Sequence, residues 1–236
     1  MNIALIIAGG SGQRMHSEIP KQFININDKP VIVYTMEAFQ KHPDIDAICV
    51  VCIEGWHDIL KAYARQYNIS KLQWVIAGGE NGQGSIRNGV YKLEETFAPD
   101  DIVLVHDAIR PMVSQDIISD CIVKARKYGS AISCVPCTTA VLGLENADET
   151  SSKKVIDRSL LGMTQTPQGF PLKNLGDAHR KALEIGITNS VASCTLMVEL
   201  GETVHFSLGS ETNVKLTTPA DLKIFKALLA IEENRL

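Results

Sequence analysis

No apolar run in the 236-residue chain approaches the ~20 residues needed to cross a bilayer. The first residues also lack the basic stretch and small-residue cleavage site of a secretory signal, so the expected location is cytoplasmic, away from any membrane. Positive charge is not in surplus either: 23 Lys and Arg face 27 Asp and Glu, a formal net charge of -4. That balance argues against a broad basic face for nucleic acid or anionic lipid, and any anionic ligand must be held by a local cluster of cations. There is no internal repeat and no low-complexity tract, and the length suits one sizeable core, so a single domain over 1–236 is expected.

Metal-chelating cysteine pairs are absent in a physical sense, although two pairs have the right spacing. Cys49 with Cys52 and Cys134 with Cys137 each read C-x-x-C, but both lie in β-branched apolar runs. Residues three apart on a strand point to opposite faces, so neither pair is expected to chelate as a unit.

What the chain does have is a rhythm. Continuous apolar runs at 3–8, 46–53, 72–78, 101–107 and 129–137 read as strands buried on both faces. Helix-length segments at 30–41, 57–67, 84–96 and 115–128 lie between them, which predicts an α/β fold with a mostly parallel, doubly wound, Rossmann-like sheet. Ligands of such sheets bind beyond the carboxyl ends of the strands. From 138 to 170 the rhythm breaks into a polar, turn-rich stretch longer than an ordinary connection, expected to be a functional, protruding arm. Helices at about 171–185 and 193–200, a strand at "TVHFSL" and a last helix entered through "TTPADL" complete the expectation. In that entry Thr218 and Asp221 suit a capping box and Pro219 the first turn.

The stretch "AGGSGQRMHSEIPKQF", residues 8–23, follows the first strand directly. Glycines at a strand-to-helix turn let backbone N–H groups approach phosphate oxygens, which accounts for Gly9, Gly10 and Gly12. The dinucleotide pattern fails because Met15 stands where a third glycine is needed and no acid ends the second strand; the P-loop pattern fails because Gly-Lys-Ser/Thr is absent. Arg14 and Lys21 beside the glycines suit instead a reaction in which charge builds on a phosphorus centre. A hydride-transfer site would not need them.

On these residues, together with "GGENGQGSIRNGV" (78–90), "HDAIRP" (106–111), "DRSLLGMTQTPQGF" (157–170) and "NVKLTTPADL" (213–222), the chain resembles the cytidylyltransferases that act on 2-C-methyl-D-erythritol 4-phosphate or ribitol 5-phosphate. The resemblance implies a Mg²⁺-dependent transfer of CMP from CTP to a polyol phosphate, release of pyrophosphate, and a homodimer held by the arm. Ala8, Gly9, Gly10 and Gly12 would cradle the CTP phosphates, and Arg14, Lys21 and Lys215 would neutralise the reacting phosphate. Gly78, Gly79 and Ser85 would read cytosine. Asp107 would serve the metal, the ribose region and the acceptor, and Arg110 would either bind the acceptor or form a scaffold ion pair. Lys215, together with Arg158 and Thr166 in the arm, would reach the polyol phosphate, the arm residues doing so in the neighbouring subunit. CTP and a phosphomonoester bring roughly six negative charges, and unit charges ~4 Å apart interact by ~4 kcal/mol at an effective dielectric near 20, so this density of cations is required. No general base is expected, since a phosphomonoester is already ionised near neutrality, its second pKa being ~6. His106 therefore reads as a packing residue.

Three positions depart from the family pattern. Gly82 stands for an arginine, Thr139-Ala140 for Asp-Thr, and Val191-Ala192 for Thr-Asp, unless an insertion lets Thr188-Asn189 take that place. Two of the three fall on the polyol side, so the acceptor is less fixed than CTP. "HDAIRP" tilts toward methylerythritol phosphate as acceptor, with ribitol 5-phosphate or another alditol phosphate as the alternative. A nucleotide-binding homologue without turnover is a second class, motivated by Gly82 and Ala192, and a dinucleotide-dependent oxidoreductase a third, disfavoured by the missing glycine and acid.

Overall fold

The computed structural model describes residues 1–10 and 19–233. The first apolar run forms β1 (Asn2–Ala8), followed by a small antiparallel pair, β2 (Asn25–Ile26) and β3 (Lys29–Pro30), and by α1 (Val31–Lys41). Strands and helices then alternate: β4 (Ala47–Cys52), α2 (His57–Gln66), β5 (Leu72–Ala77), α3 (Gly82–Glu94), β6 (Ile102–Asp107), α4 (Gln115–Tyr128) and β7 (Ala131–Pro136). The remainder comprises the hairpin β8 (Val141–Gly143) and β9 (Lys154–Ile156), then β10 (Gly162–Pro171), α5 (Leu172–Glu184), α6 (Ser193–Glu199), β11 (Phe206–Leu208) and α7 (Pro219–Glu233). Among the described residues no helix is long and apolar enough to cross a membrane.

Seven strands form the central sheet in the order β11-β7-β10-β6-β1-β4-β5. β1 pairs in parallel with β4 and β6, and β4 in parallel with β5. A strand apolar on both faces needs cover on both. Ile3 and Leu5 of β1 enter one core with α3, α5 and α6, whereas Ala4, Ile6 and Ala8 enter another with α1, α2 and α4. The same alternation separates Cys49 from Cys52, one in each core, and all six cysteines are free thiols.

The expected arm of 138–170 is corrected at its end. Residues 162–171 are not protruding: they form β10, which lies antiparallel between β6 and β7 in the middle of the sheet. Its polar composition disguises it, yet each unusual residue is accommodated. Buried Gln168 donates to Cys194 Sγ and accepts from the Cys194 backbone N–H at 2.9 Å, so its amide is satisfied by the start of α6. A Cβ on Gly169 would lie 2.9 Å from Cys121 Sγ and 3.0 Å from the Ala125 Cβ, so only glycine lets α4 pack this closely. What remains outside the sheet is the β8–β9 hairpin and a 3-10 turn at Arg158–Leu160.

The entry to α7 forms as its sequence expects. Asp221 Oδ2 accepts from the N–H groups of Thr217 and Thr218, and the Asp221 N–H donates to Thr218 Oγ1. Phe225 and Leu229 then close a third, smaller core with Ile109 and Leu216, next to the carboxyl ends of the strands.

His179 on α5 is 1% exposed, and neither ring nitrogen has a hydrogen-bond partner. Burial, reinforced by Arg87, lowers its pKa from 6.5 to about 4. The folded state thus refuses a proton that the unfolded chain accepts, so stability is complete above about 6.5 and falls as pH drops toward about 4. In urea unfolding at neutral and at mildly acidic pH, His179→Leu is expected to lose less stability on acidification than wild type; an equal loss would remove His179 as a source of acid sensitivity.

Candidate active site

Because β1, β4, β5 and β6 run in parallel, their carboxyl ends share one edge, where a cavity of about 390 Å³ opens. Ala8, Gly9 and Gly10 form one wall, and Gly79 to Gly82 with Ser85 form another. The glycine loop is pinned from below by Gln22, 1% exposed, whose Nε2 donates to the carbonyls of Ala8 at 2.8 Å and Gly10 at 3.1 Å. Lys21, the preceding residue, lines the cavity.

The second wall rests on a close approach. The Gly79 N–H donates to Ser85 Oγ at 3.0 Å, and a Cβ on Gly79 would lie 2.4 Å from the Gly84 carbonyl carbon, a collision with backbone. Gly9 is less constrained, its hypothetical Cβ 3.2 Å from Ser85 Oγ, a side-chain atom that could give way. Asn81 caps α3, its Oδ1 accepting from the Gly84 N–H at 2.9 Å, so the positive end of the helix dipole faces the cavity. Ser85 is therefore first a strut between two glycines, with its own O–H still available to donate.

The floor is electrostatic. Asp107, the last residue of β6, receives Lys215 Nζ at 3.1 Å on both carboxylate oxygens and Arg110 Nε at 3.1 Å. Burial pushes its carboxyl up, but Lys215 and Arg110 outweigh that and hold it below the usual carboxylate range. A circuit of hydrogen bonds surrounds this group. Arg110 Nη1 donates to the Asn213 carbonyl at 2.7 Å, Asn213 Nδ2 to the Thr166 carbonyl at 2.8 Å, and the Asp107 N–H to Thr166 Oγ1 at 3.0 Å. Gln165 adds two bonds to Ser210, so β10 clamps the segment that carries Lys215.

The structure thus gathers Ala8, Gly9, Gly10, Lys21, Gly79, Ser85, Asp107 and Lys215 around one cavity, with Gly78 adjoining and Arg110 beneath. Arg14 and Gly12 lie outside the described residues. Thr166 does not sit in an arm: it is on β10, bonded to Asp107 of its own chain. Arg158, in the 3-10 turn beyond the hairpin, is exposed and donates to the Thr138 carbonyl. His106 is fully buried, its Nε2 3.1 Å from the Arg110 carbonyl and its ring against Phe39, and burial lowers its pKa to about 4. It packs, as its sequence context suggests. Gln22, Gln165 and Asn213 carry no signal of their own in the sequence; only their place inside the motifs of 8–23, 157–170 and 213–222 hints at them.

Of the departures, Gly82 lines the cavity and a Cβ there would meet nothing within 4 Å, so the space an arginine would take is open. Ala140 and Val191 are exposed, Val191 at 93%. Among the described residues no group of three His, Cys, Asp or Glu could cage a metal ion.

Likeness to solved structures gives the class first: the chain matches that of 4-diphosphocytidyl-2C-methyl-D-erythritol synthase with a TM-score of 0.79, at 27% identity over 97% of this chain and 98% of that one. This is a nucleotidyltransferase architecture. The sequence family described as IspD, 2-C-methyl-D-erythritol 4-phosphate cytidylyltransferase, matches residues 2–231, and the chain belongs to that family. A ribitol-5-phosphate cytidylyltransferase of Lacticaseibacillus paracasei is 44% identical over 99% of this chain and 100% of its own length. A 2-C-methyl-D-erythritol 4-phosphate cytidylyltransferase of Syntrophus aciditrophicus is 35% identical over 99% of this chain and 98% of its own.

Asn213 is fully buried and joins Arg110 to Thr166. Asn213→Ala removes the bond to β10 and is expected to cost ~1–3 kcal/mol in denaturant unfolding. Turnover should fall further than stability accounts for, because Lys215 two residues on loses its anchor; full turnover in the folded variant would show that Lys215 finds its place unaided.

Proposed function

We propose that the chain transfers CMP from CTP to ribitol 5-phosphate, releasing pyrophosphate and forming a CDP-alditol. The observation that carries the transfer is the charge arrangement at the strand ends: Lys21 and Lys215 share one cavity with a glycine loop and the N-terminus of α3, and Asp107 fixes Lys215 in place. An oxygen of the acceptor phosphate attacks the α-phosphorus in line, and these cations, with Arg14, reduce the repulsion between two anions and the charge of the five-coordinate state. No residue need remove a proton. His106, buried and neutral, does not face the cavity chemistry.

Mg²⁺ belongs to this reading. Asp107 and Glu80 are the carboxylates that line the cavity, and Mg²⁺ is commonly held by one or two carboxylates with substrate phosphates and water supplying the rest; at Asp107 the ion would share the carboxylate with Lys215 and Arg110. Bound there, the ion would draw charge off the triphosphate.

Ribitol 5-phosphate is favoured as acceptor because the relative of that name is 44% identical along its whole length, against 35% for the methylerythritol enzyme. Methylerythritol phosphate is the second reading, supported by "HDAIRP" and by the family's description. A homodimer through the β8–β9 hairpin completes the proposal. A lone two-stranded ribbon is marginal in water, and this one exposes Leu142 at 59% and Val155 at 79%, with Leu160 at 81% beside it. A second subunit would cover them and receive Arg158 near its acceptor phosphate. Free thiols throughout suit a reducing cytoplasm.

Pyrophosphate release from CTP and Mg²⁺ is to be measured with ribitol 5-phosphate, methylerythritol 4-phosphate, erythritol 4-phosphate and glycerol 3-phosphate. Ribitol 5-phosphate should give the highest kcat/KM, and preference for methylerythritol 4-phosphate would establish the second reading. Lys21→Ala should lower turnover by roughly two orders of magnitude or more with unfolding unchanged; near-normal turnover would remove Lys21 from the chemistry.

A further inference from the structure

The turn between β4 and α2 is bonded to both glycine walls. The Ile53 N–H donates to the Ala8 carbonyl at 3.1 Å, and the Cys52 carbonyl accepts from the Gly78 N–H at 3.1 Å. His57 Nε2 closes the turn by donating to that same Cys52 carbonyl at 3.2 Å. Trp56, half-buried at the entry to α2, does not line the cavity. Its ring lies instead on Phe23, with centroids 4.4 Å apart and planes 23° from parallel. The turn that carries two bonds to the walls thus carries a stacking platform as well.

Phe23, 3% exposed, ends the three-residue 3-10 turn Lys21–Phe23. Three residues per turn send successive side chains about 120° apart. Lys21 accordingly lines the cavity, Gln22 holds the Ala8 and Gly10 carbonyls, and Phe23 meets Trp56. Two backbone bonds close this turn, from the Phe23 N–H to the Pro20 carbonyl and from the Ile24 N–H to the Lys21 carbonyl, too few to fix it alone. A lysine ammonium rides on a flexible four-carbon stem, so its location depends on how firmly its own backbone is held. Stacked rings resist sliding and tilting, which a contact between aliphatic side chains does not. We infer that Trp56 is a positioning residue for Lys21: stacked on Phe23, it fixes the 3-10 turn so that the Lys21 ammonium meets the charge developing on the reacting phosphate. The inference rests on the cytidylyl-transfer reading above.

A double-mutant cycle tests it. Trp56→Leu keeps an apolar cover for Phe23 but no ring to stack on it. It is expected to lower kcat about tenfold with the KM for CTP and for the polyol phosphate within about twofold, because Lys21 meets charge present only in the transition state. Trp56→Phe, which restores a ring, should recover kcat to within about threefold of wild type. In a Lys21→Ala background Trp56→Leu should change kcat by less than about twofold, since the side chain it positions is gone. Unchanged kcat in Trp56→Leu, a loss confined to KM, or an equal fold-loss in both backgrounds would overturn the inference and leave the transfer reading intact. Should Trp56→Leu fail to fold, Trp56→Met takes its place in the cycle with the same expectations. Absence of turnover by wild type with every polyol phosphate would overturn both the transfer reading and this inference.

Discussion

Asp107 is the constraint on which the rest of the site depends. A carboxylate at the end of a buried strand is costly unless cations meet it, and Arg110 and Lys215 both do. Arg110 comes from the turn after β6, but Lys215 lies more than a hundred residues away. Something must therefore bring the 209–216 segment to the edge of β6 and keep it there. β10 does so: inserted antiparallel beside β6, it presents Thr166 to the Asp107 N–H and its carbonyl to Asn213, and Gln165 to Ser210. The single reversal of strand direction in an otherwise parallel neighbourhood is thus what lets a late segment of the chain close over an early strand end.

The opposite wall solves a different problem with smaller means. Here no charge is neutralised; instead backbone N–H groups must come close together without side chains between them. Gly9, Gly78 and Gly79 lie within reach of one hydroxyl, Ser85 Oγ, and Gly79 has no room for a Cβ. Gln22 holds the carbonyls on either side of Gly9, those of Ala8 and Gly10. On the proposed function, the two walls are the means by which a chain with net charge of -4 would attract a triphosphate. Its overall field is repulsive at long range, but salt screens charges beyond ~8–10 Å, and within that distance only the local cations and helix end are felt.

Strands β1, β4, β6 and β7 were legible in the sequence because strands covered on both faces must be continuously apolar. β5 was legible as a strand but not as a buried one, since it forms the sheet edge and none of its residues is buried. β10 was not legible at all. Its side chains are polar or minimal for reasons found only in its neighbours, the Cys194 backbone for Gln168 and the face of α4 for Gly169. The charged and glycine residues of the site were visible because phosphate chemistry restricts residue type. Gln22, Gln83, Gln165 and Asn213 escaped notice because an amide signals nothing until its partner is known, and each partner lies far along the chain or on a loop.

These amides share a function that follows from their chemistry. A side-chain amide carries one donor group and one acceptor, as a peptide unit does, so it can bond main chain where no regular element reaches. Gln22 does this for the glycine loop, Gln165 for the segment before Lys215, and Gln83 for the loop between α5 and α6. The sheet fixes where its strands end, but the groups that would meet two anionic substrates are on loops, which a sheet cannot order by itself. Neutral amides order them without adding charge, leaving the local balance to Lys21, Glu80, Arg110, Lys215 and Asp107. A site built from ion pairs throughout would spend its cations on its own carboxylates. Here Asp107 is the carboxylate that both Arg110 and Lys215 serve, and among the described residues it is the group with which the substrate phosphates would compete for Lys215.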